Sequence, residues 1–225
     1  MKTELIKTGD GSHSLYVPEL NEHYHSTFGA LSESLHVFIE SGFQKAASLF
    51  EEIKILEIGF GTGLNALLTW MESERIPKKV HYVTLEPFPL DEEVWSSLNY
   101  PDCFCTFSYR EIFRRLHQSE WNRSEMISPF FSIFKVKKHL EEYELGQGKF
   151  NLVYFDAFGP DVQPELWKEE IFRNIALSMI NGGVLVTYSA KGSVRRALRN
   201  AGFSVEKLPG PAGKREITRA TKNGD

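Results

Sequence analysis

The chain has 225 residues, of which 41% are hydrophobic and 25% charged, and its formal net charge is −4 at pH 7. These proportions are those of a globular protein, and the length fits one domain with at most a small appendage. No apolar run approaches the ~18 residues that span a bilayer, and the first residues lack a signal-peptide core. We therefore expect a cytoplasmic protein that does not contact the membrane.

The N-terminal part predicts a small extension. Residues 5–17 read as a hairpin that turns at residues 9–11 (GDG). Residues 31–42 read as an amphipathic helix, because apolar residues recur there at helical spacing. We assign residues 1–45 to this extension, packed on the core, and residues 46–225 to the main domain.

From residue 53 onward, strand and helix patterns alternate. The predicted strands are 53–58, 80–86, 130–135, 150–155, 184–188, 203–207 and 215–220, and the predicted helices are 64–75, 90–98, 136–145, 164–180 and 193–201. This alternation favours an α/β Rossmann-like fold, with a seven-stranded, mostly parallel sheet and helices on both faces. Residues 181–183 (NGG) are expected to end the long helix. Residues 99–129 form an insert with no clear period.

The two cysteines, Cys103 and Cys105, lie in this insert. They are too few for a four-ligand metal site and too close together for a structural disulfide, so we expect reduced thiols. The histidines lack acidic or cysteine partners at ligand spacing, and we predict no metal.

The strongest motif is segment 57–63 (EIGFGTG), between a predicted strand and a predicted helix. Its glycines permit a sharp turn and a close approach of a ligand to the backbone. Leu64 breaks the dinucleotide spacing G-x-G-x-x-G, and no Gly-Lys-Ser/Thr follows. Glu57 would repel a pyrophosphate but suits a cofactor with sulfonium and ammonium groups, so the motif predicts S-adenosyl-L-methionine. The expected cofactor-binding residues are Glu57, Gly59, Phe60, Gly61, Thr62, Gly63, Asn65 and Glu86.

Glu86 stands at the end of the next predicted strand, before Pro87. A carboxylate there can accept hydrogen bonds from both ribose hydroxyls. Because open α/β sheets bind ligands at the carboxyl ends of their strands, the glycine loop, Glu86 and Asp156 should converge. The alternatives are a plain strand-to-helix turn for the glycines and an exposed surface acid for Glu86.

Asp156 lies in segment 154–160 (YFDAFGP), where the fourth strand of the parallel series should end. At that position it could orient an amine nucleophile, so Asp156 is the candidate catalytic residue. The alternative is a turn cap. We expect Tyr24, Phe158 and Pro160 to shape the substrate pocket, or else simply to pack.

Several segments together resemble the methyltransferase domain of MnmC, a family that includes the stand-alone protein MnmD. They are 24–26 (YHS), 57–65 (EIGFGTGLN), 156–160 (DAFGP), 164–167 (PELW), 192–198 (GSVRRAL), 201–203 (AGF) and 213–216 (GKRE). The resemblance covers most of the chain outside the insert. It implies a class I S-adenosylmethionine-dependent methyltransferase that methylates the amine of 5-aminomethyl(-2-thio)uridine at the tRNA wobble position.

The resemblance also implies partners and limits. In MnmC, this domain is fused to a flavin-dependent oxidase that makes the amine. We expect no such oxidase domain in the 225 residues, and therefore no FAD. We also expect a functional link to the enzymes that supply the aminomethyl precursor. Many members carry Gly-Asp after the third strand, where the Asp reads the adenine. Residues 134–137 (FKVK) lack it, and a backbone carbonyl would have to substitute.

The C-terminal segment is basic. Residues 191–222 hold nine Lys or Arg residues against two Glu residues, a net charge of +7. A solvated surface explains such a segment, and so does a polyanion partner. Given the resemblance, we expect the anticodon loop of tRNA to bind, with salt-sensitive affinity that charge reversal at Arg195 and Arg196 abolishes. The expected contacts are Arg195, Arg196, Arg199, Lys214 and Arg215.

Two rival classes remain. The first is another enzyme on the same fold, an aminopropyltransferase or a small-molecule methyltransferase. Aminopropyl transfer needs a second acid in the polyamine site and does not require a basic C-terminal segment. A non-catalytic RNA-binding protein need not bind the cofactor.

Overall fold

A computed structural model describes residues 2–104 and 108–224. A three-stranded antiparallel sheet opens the chain, with strands β1 (Glu4–Lys7), β2 (His13–Val17) and β3 (Glu22–His23). The predicted hairpin is confirmed. The carboxylate of Asp10 accepts hydrogen bonds from the backbone N–H groups of Ser12 (3.0 Å) and Ser32 (2.9 Å). The hairpin turn thereby also satisfies a free N–H at the start of the following helix.

One continuous helical segment follows, and it is longer than the predicted 31–42. It consists of α1 (Ala30–Ser34), a π-helix (Leu35–Phe43) and α2 (Gln44–Leu49). A glycine at residue 42 lets this segment lie directly on the sheet, because a Cβ there would come within 2.8 Å of the Val186 side chain.

An eight-stranded sheet forms the centre of the main domain. Its strands are β4 (Glu52–Ile58), β5 (Lys79–Leu85), β6 (Ser124–Ser128), β7 (Phe131–Val136), β8 (Phe150–Phe155), β9 (Met179–Thr187), β10 (Phe203–Pro209) and β11 (Glu216–Lys222). The spatial order is β10-β11-β9-β8-β4-β5-β7-β6. The five central strands are parallel to one another, namely β9, β8, β4, β5 and β7. The other three, β11, β10 and β6, are antiparallel to their neighbours.

Helices cover both faces of this sheet. They are α3 (Leu64–Arg75), α4 (Glu92–Ser96), α5 (Ser108–Gln118), α6 (Glu169–Ser178) and α7 (Gly192–Asn200). One hydrophobic core cluster packs α3, α5 and the N-terminal helical segment against one face of the sheet. A second hydrophobic cluster packs α6 and α7 against the other face. All six residues of β8 are buried, as expected for a strand covered on both faces. The predicted α/β architecture is confirmed.

The N-terminal extension contributes to the first of these clusters through Leu15, Val37 and Phe43. Its side chains therefore pack on the main core. The division of the chain at residues 45 and 46 stays a prediction.

The eighth strand comes from the insert at residues 99–129, for which no element was predicted. The insert contains a 3-10 helix (Tyr100–Cys103), α5 and β6. Strand β6 extends the sheet beyond β7, so the sheet has eight strands instead of the predicted seven. Cys103 is exposed. The prediction for Cys105 lies outside the described residues.

Two helix predictions are wrong. Instead of a helix over 136–145, β7 continues to Val136, which pairs with Leu85, and only a 3-10 turn (Leu140–Glu142) follows. The helix expected over 164–180 is a 3-10 turn (Pro164–Trp167), a break at Lys168 and then α6. Residues 181–183 do not end that helix. They lie within β9, where a register shift accommodates the glycines.

Within the two described ranges, no helix has both the length and the apolar composition required to cross a lipid bilayer.

Arg195 ties α7 to β11 from inside the protein. Arg195 is only 5% exposed. Its guanidinium donates to Glu216 Oε2 at 2.8 Å, Thr218 Oγ1 at 3.0 Å and the Ile217 carbonyl at 3.3 Å. The neighbouring Arg196 is exposed. Adjacent arginines of one helix therefore have different environments.

We predict that Arg195→Leu lowers the free energy of unfolding by about 2 kcal/mol, because the Thr218 hydroxyl and the Ile217 carbonyl stay buried and lose a charged donor. Arg196→Leu is the matched control, with an expected change within about 0.5 kcal/mol. Urea unfolding of the two variants measures the difference. Equal losses would contradict this structural role for Arg195.

Candidate functional site

A cavity of about 560 Å³ opens at the carboxyl ends of the parallel strands. Its wall includes the loop after β4, the residues after β5 and β8, and residues 22–28 from the N-terminal extension. The carboxyl end of a parallel sheet is where ligands bind in open α/β folds. The predicted residues Gly59, Phe60, Gly61, Thr62, Asn65, Glu86, Asp156, Tyr24, Phe158 and Lys214 all line this cavity.

The glycine loop turns as the motif predicted. Gly59 has φ +93°, and a Cβ at this position would lie 2.8 Å from the Asp156 carbonyl oxygen. Gly61 has φ +48°, and its N–H donates to Glu86 Oε2 at 2.9 Å. Left-handed backbone and close approach both require glycine here. Gly63 precedes α3 as its N-cap residue.

A single amide connects two of the three acids that the sequence singled out. Asn65, in the first turn of α3, donates through Nδ2 to Asp156 Oδ2 at 2.8 Å and to Glu57 Oε1 at 3.2 Å. Thr84 donates to the other oxygen of Glu57 at 2.7 Å. Within the described ranges, no donor reaches Asn65 Oδ1, which is buried. That oxygen therefore has an unused capacity to accept a hydrogen bond.

Glu57 itself lies beneath the cavity. It is 1% exposed and does not belong to the cavity wall formed by the described residues. Its carboxylate is connected to the cavity wall through the hydrogen bond from Asn65. The sequence predicted direct binding, and this geometry favours an indirect role.

Burial changes the proton affinity of all three carboxylates. It raises the pKa of Glu57 to about 7, against hydrogen bonds from Thr84 and Asn65 that lower it. It raises the pKa of Asp156 well above its usual range, with a further contribution from the negative charges of Glu33 and Glu57. It also raises the pKa of Glu86, whose oxygens accept backbone N–H groups. Such displaced pKa values are typical of functional sites.

Aromatic side chains form part of the cavity wall near Asp156. The rings of Tyr24 and Phe158 meet edge to face with centroids 5.2 Å apart, and Tyr24 packs over Gly61. Pro160 is half-buried and lies outside the wall that the described residues form. The structure therefore brings two of the three predicted pocket residues to the cavity.

A buried ion pair that the sequence did not reveal lies in the same wall. Glu33 of α1 is 5% exposed, accepts the Ser26 N–H at 2.8 Å and pairs with the ammonium of Lys214. That ammonium also lies 4.1 Å from the ring centroid of Tyr188, whose hydroxyl donates to the Ala157 carbonyl at 2.9 Å. Glu33 lies in an amphipathic helix and belongs to no recognisable motif, so the sequence did not identify it as a site residue.

The predicted basic contacts divide into three groups. Arg195 is buried and hydrogen-bonded within the protein, so the expectation that it faces a nucleic acid is not supported. Lys214 is inside the cavity. Arg196, Arg199 and Arg215 are exposed and remain available to a partner.

The third parallel strand, β7, ends without the acid that the family resemblance implies at this position. Lys135 is not part of the cavity wall formed by the described residues, and its ammonium donates to the His117 carbonyl at 2.6 Å and lies 4.6 Å from the Trp121 ring centroid. Burial lowers its pKa to about 8. Residues 138–141 line the cavity instead, and Glu141 brings a carboxylate to this wall.

The insert contacts the glycine loop through His117. His117 of α5 stacks on Trp95 with centroids 4.7 Å apart, and its Nε2 lies 3.1 Å from the Thr62 carbonyl. Burial lowers the pKa of His117 to about 3, so the ring is neutral at neutral pH and can donate one N–H to this carbonyl. His, Cys, Asp and Glu side chains in the described ranges do not gather into groups of three that could hold a metal.

Comparison with known proteins gives a consistent family. A family model described as S-adenosyl-L-methionine-dependent methyltransferase matches residues 105–223, more than half of the chain. The tRNA 5-methylaminomethyl-2-thiouridine biosynthesis bifunctional protein MnmC of Cupriavidus metallidurans is 31% identical over 230 residues, which cover 96% of this chain and 33% of that protein. The chain thus spans about one third of the length of the curated relatives it matches.

Solved structures agree on the fold. The crystal structure of MNMC2 from Aquifex aeolicus has a TM-score of 0.80 and 29% identity, covering 100% of this chain and 72% of that one. Spermidine synthase from Thermotoga maritima has a TM-score of 0.53 and 10% identity, with the same coverage of each chain. At 10% identity, the second likeness concerns the fold alone.

We predict that Glu57→Gln reduces the loss of stability as the pH rises. The folded pKa of about 7 lies above the ordinary value of 4.5, so the folded state binds more protons between them. The free energy of unfolding must then fall as the pH rises through this window. For Glu57 this amounts to roughly 3 kcal/mol.

Denaturant unfolding at about pH 4.5 and about pH 8 tests this prediction. Asp156 contributes in the same direction, and more strongly in the wild type because the charge of Glu57 raises its pKa, so the comparison measures Glu57 together with its effect on Asp156. The same pH dependence in wild type and Glu57→Gln would show that Glu57 is not the titrating group.

Proposed function

Because this chain belongs to the S-adenosylmethionine-dependent methyltransferases of the MnmC and MnmD family, we propose that it methylates the primary amine of 5-aminomethyluridine, or its 2-thio form, at the tRNA wobble position. The name of the Cupriavidus relative refers to the biosynthesis of the corresponding methylaminomethyl nucleoside. The observation that carries the proposal is that Asp156, the glycine loop and Glu86 line one cavity.

The residues present fit S-adenosylmethionine. The unpaired Oδ1 of Asn65 suits an ammonium donor. The oxygens of Glu86 each accept one backbone N–H, from Gly61 and from Phe88, and each retains capacity for a ribose hydroxyl. We assign the adenine to the wall formed by residues 138–141, in place of the acid that the third strand lacks.

When bound, S-adenosylmethionine supplies an electrophilic methyl carbon whose bond to sulfur breaks as its bond to the amine nitrogen forms, the electron pair staying with sulfur. The role of Asp156 is to orient the amine and to accept a proton from it, because only the neutral amine has a free lone pair. Tyr24 and Phe158 form the wall against which the uracil ring packs, and this wall keeps water away from the amine.

The tRNA contacts that we propose are Arg196 and Arg199 on α7 and Arg215 near the cavity. Contacts of this kind bind phosphates and position an RNA without reading its bases. Phe28 is 60% exposed at the rim of the same cavity and offers a ring on which an unpaired base of the anticodon loop can stack.

The reaction needs an amine that another active site must make first. We propose that this protein acts after the enzymes that produce the aminomethyl group, and that it uses neither FAD nor a metal in its own step. The cytoplasm, where tRNA is modified, is the proposed location.

We predict that Asp156→Asn lowers turnover at least about tenfold while S-adenosylmethionine affinity stays nearly constant, because the amide cannot accept the proton. The assay is methylation of an anticodon stem-loop carrying 5-aminomethyluridine, followed by mass spectrometry of its nucleosides. Asp161→Asn is the matched control, since Asp161 is exposed and pairs with Lys191 outside the cavity.

Three outcomes would contradict this account. Full turnover in Asp156→Asn removes Asp156 from the mechanism. Transfer to a diamine and not to RNA favours an aminopropyltransferase or small-molecule enzyme, and RNA binding without cofactor binding favours a non-catalytic protein.

We predict that the double variant Arg196→Glu and Arg199→Glu binds tRNA more weakly and with a salt dependence whose slope is smaller by about 1–2. Phosphate contacts release counterions, so removing them flattens the slope of log affinity against log salt. Lys79→Glu is the control, because Lys79 is exposed at the opposite, amino end of β5. An unchanged slope in the double variant would show that this surface of α7 does not contact the phosphates of tRNA.

A further inference from the structure

We propose that Trp167 and Tyr188 are positioning residues for methyl transfer: their side-chain donors hold the loop of residues 156–160 in the orientation that presents Asp156 to the substrate amine. This inference rests on the proposed function. It also gives a role to Trp167, the last residue of segment 164–167 (PELW), which the family resemblance marked without assigning it a function.

The loop leaves the sheet at Asp156, whose backbone is fixed on both sides. Its N–H donates to the Ile58 carbonyl at 3.0 Å, which continues the pairing of β8 with β4 by one residue. Its carbonyl oxygen lies so close to the glycine loop that a Cβ at Gly59 would come within 2.8 Å of it. The sheet and the glycine loop therefore set where the loop begins.

The next two carbonyls accept hydrogen bonds from side chains of later segments. The Tyr188 hydroxyl donates to the Ala157 carbonyl at 2.9 Å, and the indole Nε1–H of Trp167 donates to the Phe158 carbonyl at 2.8 Å. Tyr188 directly follows β9, and Trp167 ends the 3-10 turn before α6. Two separate elements thus fix consecutive peptide units of one loop.

Trp167 contacts the loop from outside the cavity. It is 6% exposed and is not part of the cavity wall formed by the described residues. Its ring packs edge to face on Phe155, the last residue of β8, with centroids 4.8 Å apart. This packing directs the indole N–H at the Phe158 carbonyl. Because Trp167 lines no part of the cavity, its effect on the reaction must pass through the loop.

The loop carries two side chains that the reaction needs in fixed positions. Asp156 and the ring of Phe158 both line the cavity. Residues 156–159 belong to no helix or strand, so side-chain donors take the place of the backbone hydrogen bonds that fix a regular element. Methyl transfer requires nitrogen and carbon to approach in line, and a misplacement of about 1 Å can lower such a rate by about 100-fold.

The direct test removes each donor and keeps an aromatic ring. Tyr188→Phe and Trp167→Phe should each lower the single-turnover rate on aminomethyl RNA about tenfold, because each loses one hydrogen bond that holds the proton acceptor in place. The affinity for S-adenosylmethionine and the half-saturating RNA concentration should each change less than about twofold, since neither donor is aimed at a ligand.

The chain offers a matched control for each variant. Trp70 is 8% exposed and lies outside the cavity wall, and among the described residues its Nε1 has no hydrogen-bond partner. Tyr100 is fully buried, and its hydroxyl has no partner among these residues either. Trp70→Phe and Tyr100→Phe make the same chemical changes without loss of a hydrogen bond, and should keep the rate within about twofold of wild type.

A double-mutant cycle separates positioning from a general loss of stability. If Trp167 acts by placing Asp156, Trp167→Phe should lower the residual rate of Asp156→Asn less than about twofold, because residues that act as a unit are not additive. A second loss of about tenfold in the Asp156→Asn background would overturn the proposal. Equal losses in Trp167→Phe and Trp70→Phe would overturn it as well. If Trp167→Phe does not fold, Tyr188→Phe decides by the same criteria against Tyr100→Phe.

A fluorine label reports on the loop without RNA. A para-fluorophenylalanine in place of Phe158 gives one ¹⁹F NMR signal, which Tyr188→Phe should shift or broaden and Tyr100→Phe should not. An unchanged signal in Tyr188→Phe overturns the proposal. A wild-type protein whose loop responds in this way but which never methylates the RNA would contradict the proposed function and leave the hold of Tyr188 on the loop intact. A wild-type enzyme whose rate neither variant lowers would contradict only the role given to Trp167 and Tyr188.

Discussion

The amide of Asn65 is the contact on which the rest of the site depends. One nitrogen donates to Glu57 below the cavity and to Asp156 in its wall, and so fixes the start of α3 against the ends of two adjacent strands. Two carboxylates this close repel each other when both are charged, and the hydrogen bonds from the shared amide offset part of that repulsion. Among the described residues, the oxygen of the same amide has no hydrogen-bond partner. The Asn65 side chain therefore holds α3 against the sheet, contacts both carboxylates and retains an unused acceptor oxygen.

This constraint explains why the elements around it are arranged as they are. The loop between β4 and α3 can bring Asn65 to Asp156 only because Gly59 passes the Asp156 backbone without a Cβ. The insert holds that loop from the far side through His117, and the N-terminal extension closes the cavity with Tyr24 and Glu33. Segments far apart in the chain thus complete a site whose centre is the parallel sheet.

The sequence was sufficient where one local pattern decides the outcome. The glycine loop, the buried strands and the acids at strand ends followed from spacing and hydrophobicity. It failed where long-range contacts decide: strand β6 forms because β7 offers an edge, and Arg195 is buried because β11 supplies three acceptors. Glu33 and Lys214 are 181 residues apart in the chain, so no local pattern could pair them.

The most direct measurement of the central claim is mass spectrometry of wobble nucleosides in tRNA from cells that lack this protein. If the cavity delivers a methyl group to an amine presented to Asp156, those cells should accumulate 5-aminomethyluridine or its 2-thio form, and lose the methylaminomethyl product. Expression of the wild-type protein should restore the product, and expression of Asp156→Asn should not. Unchanged methylaminomethyl nucleosides in the deleted cells would contradict the account.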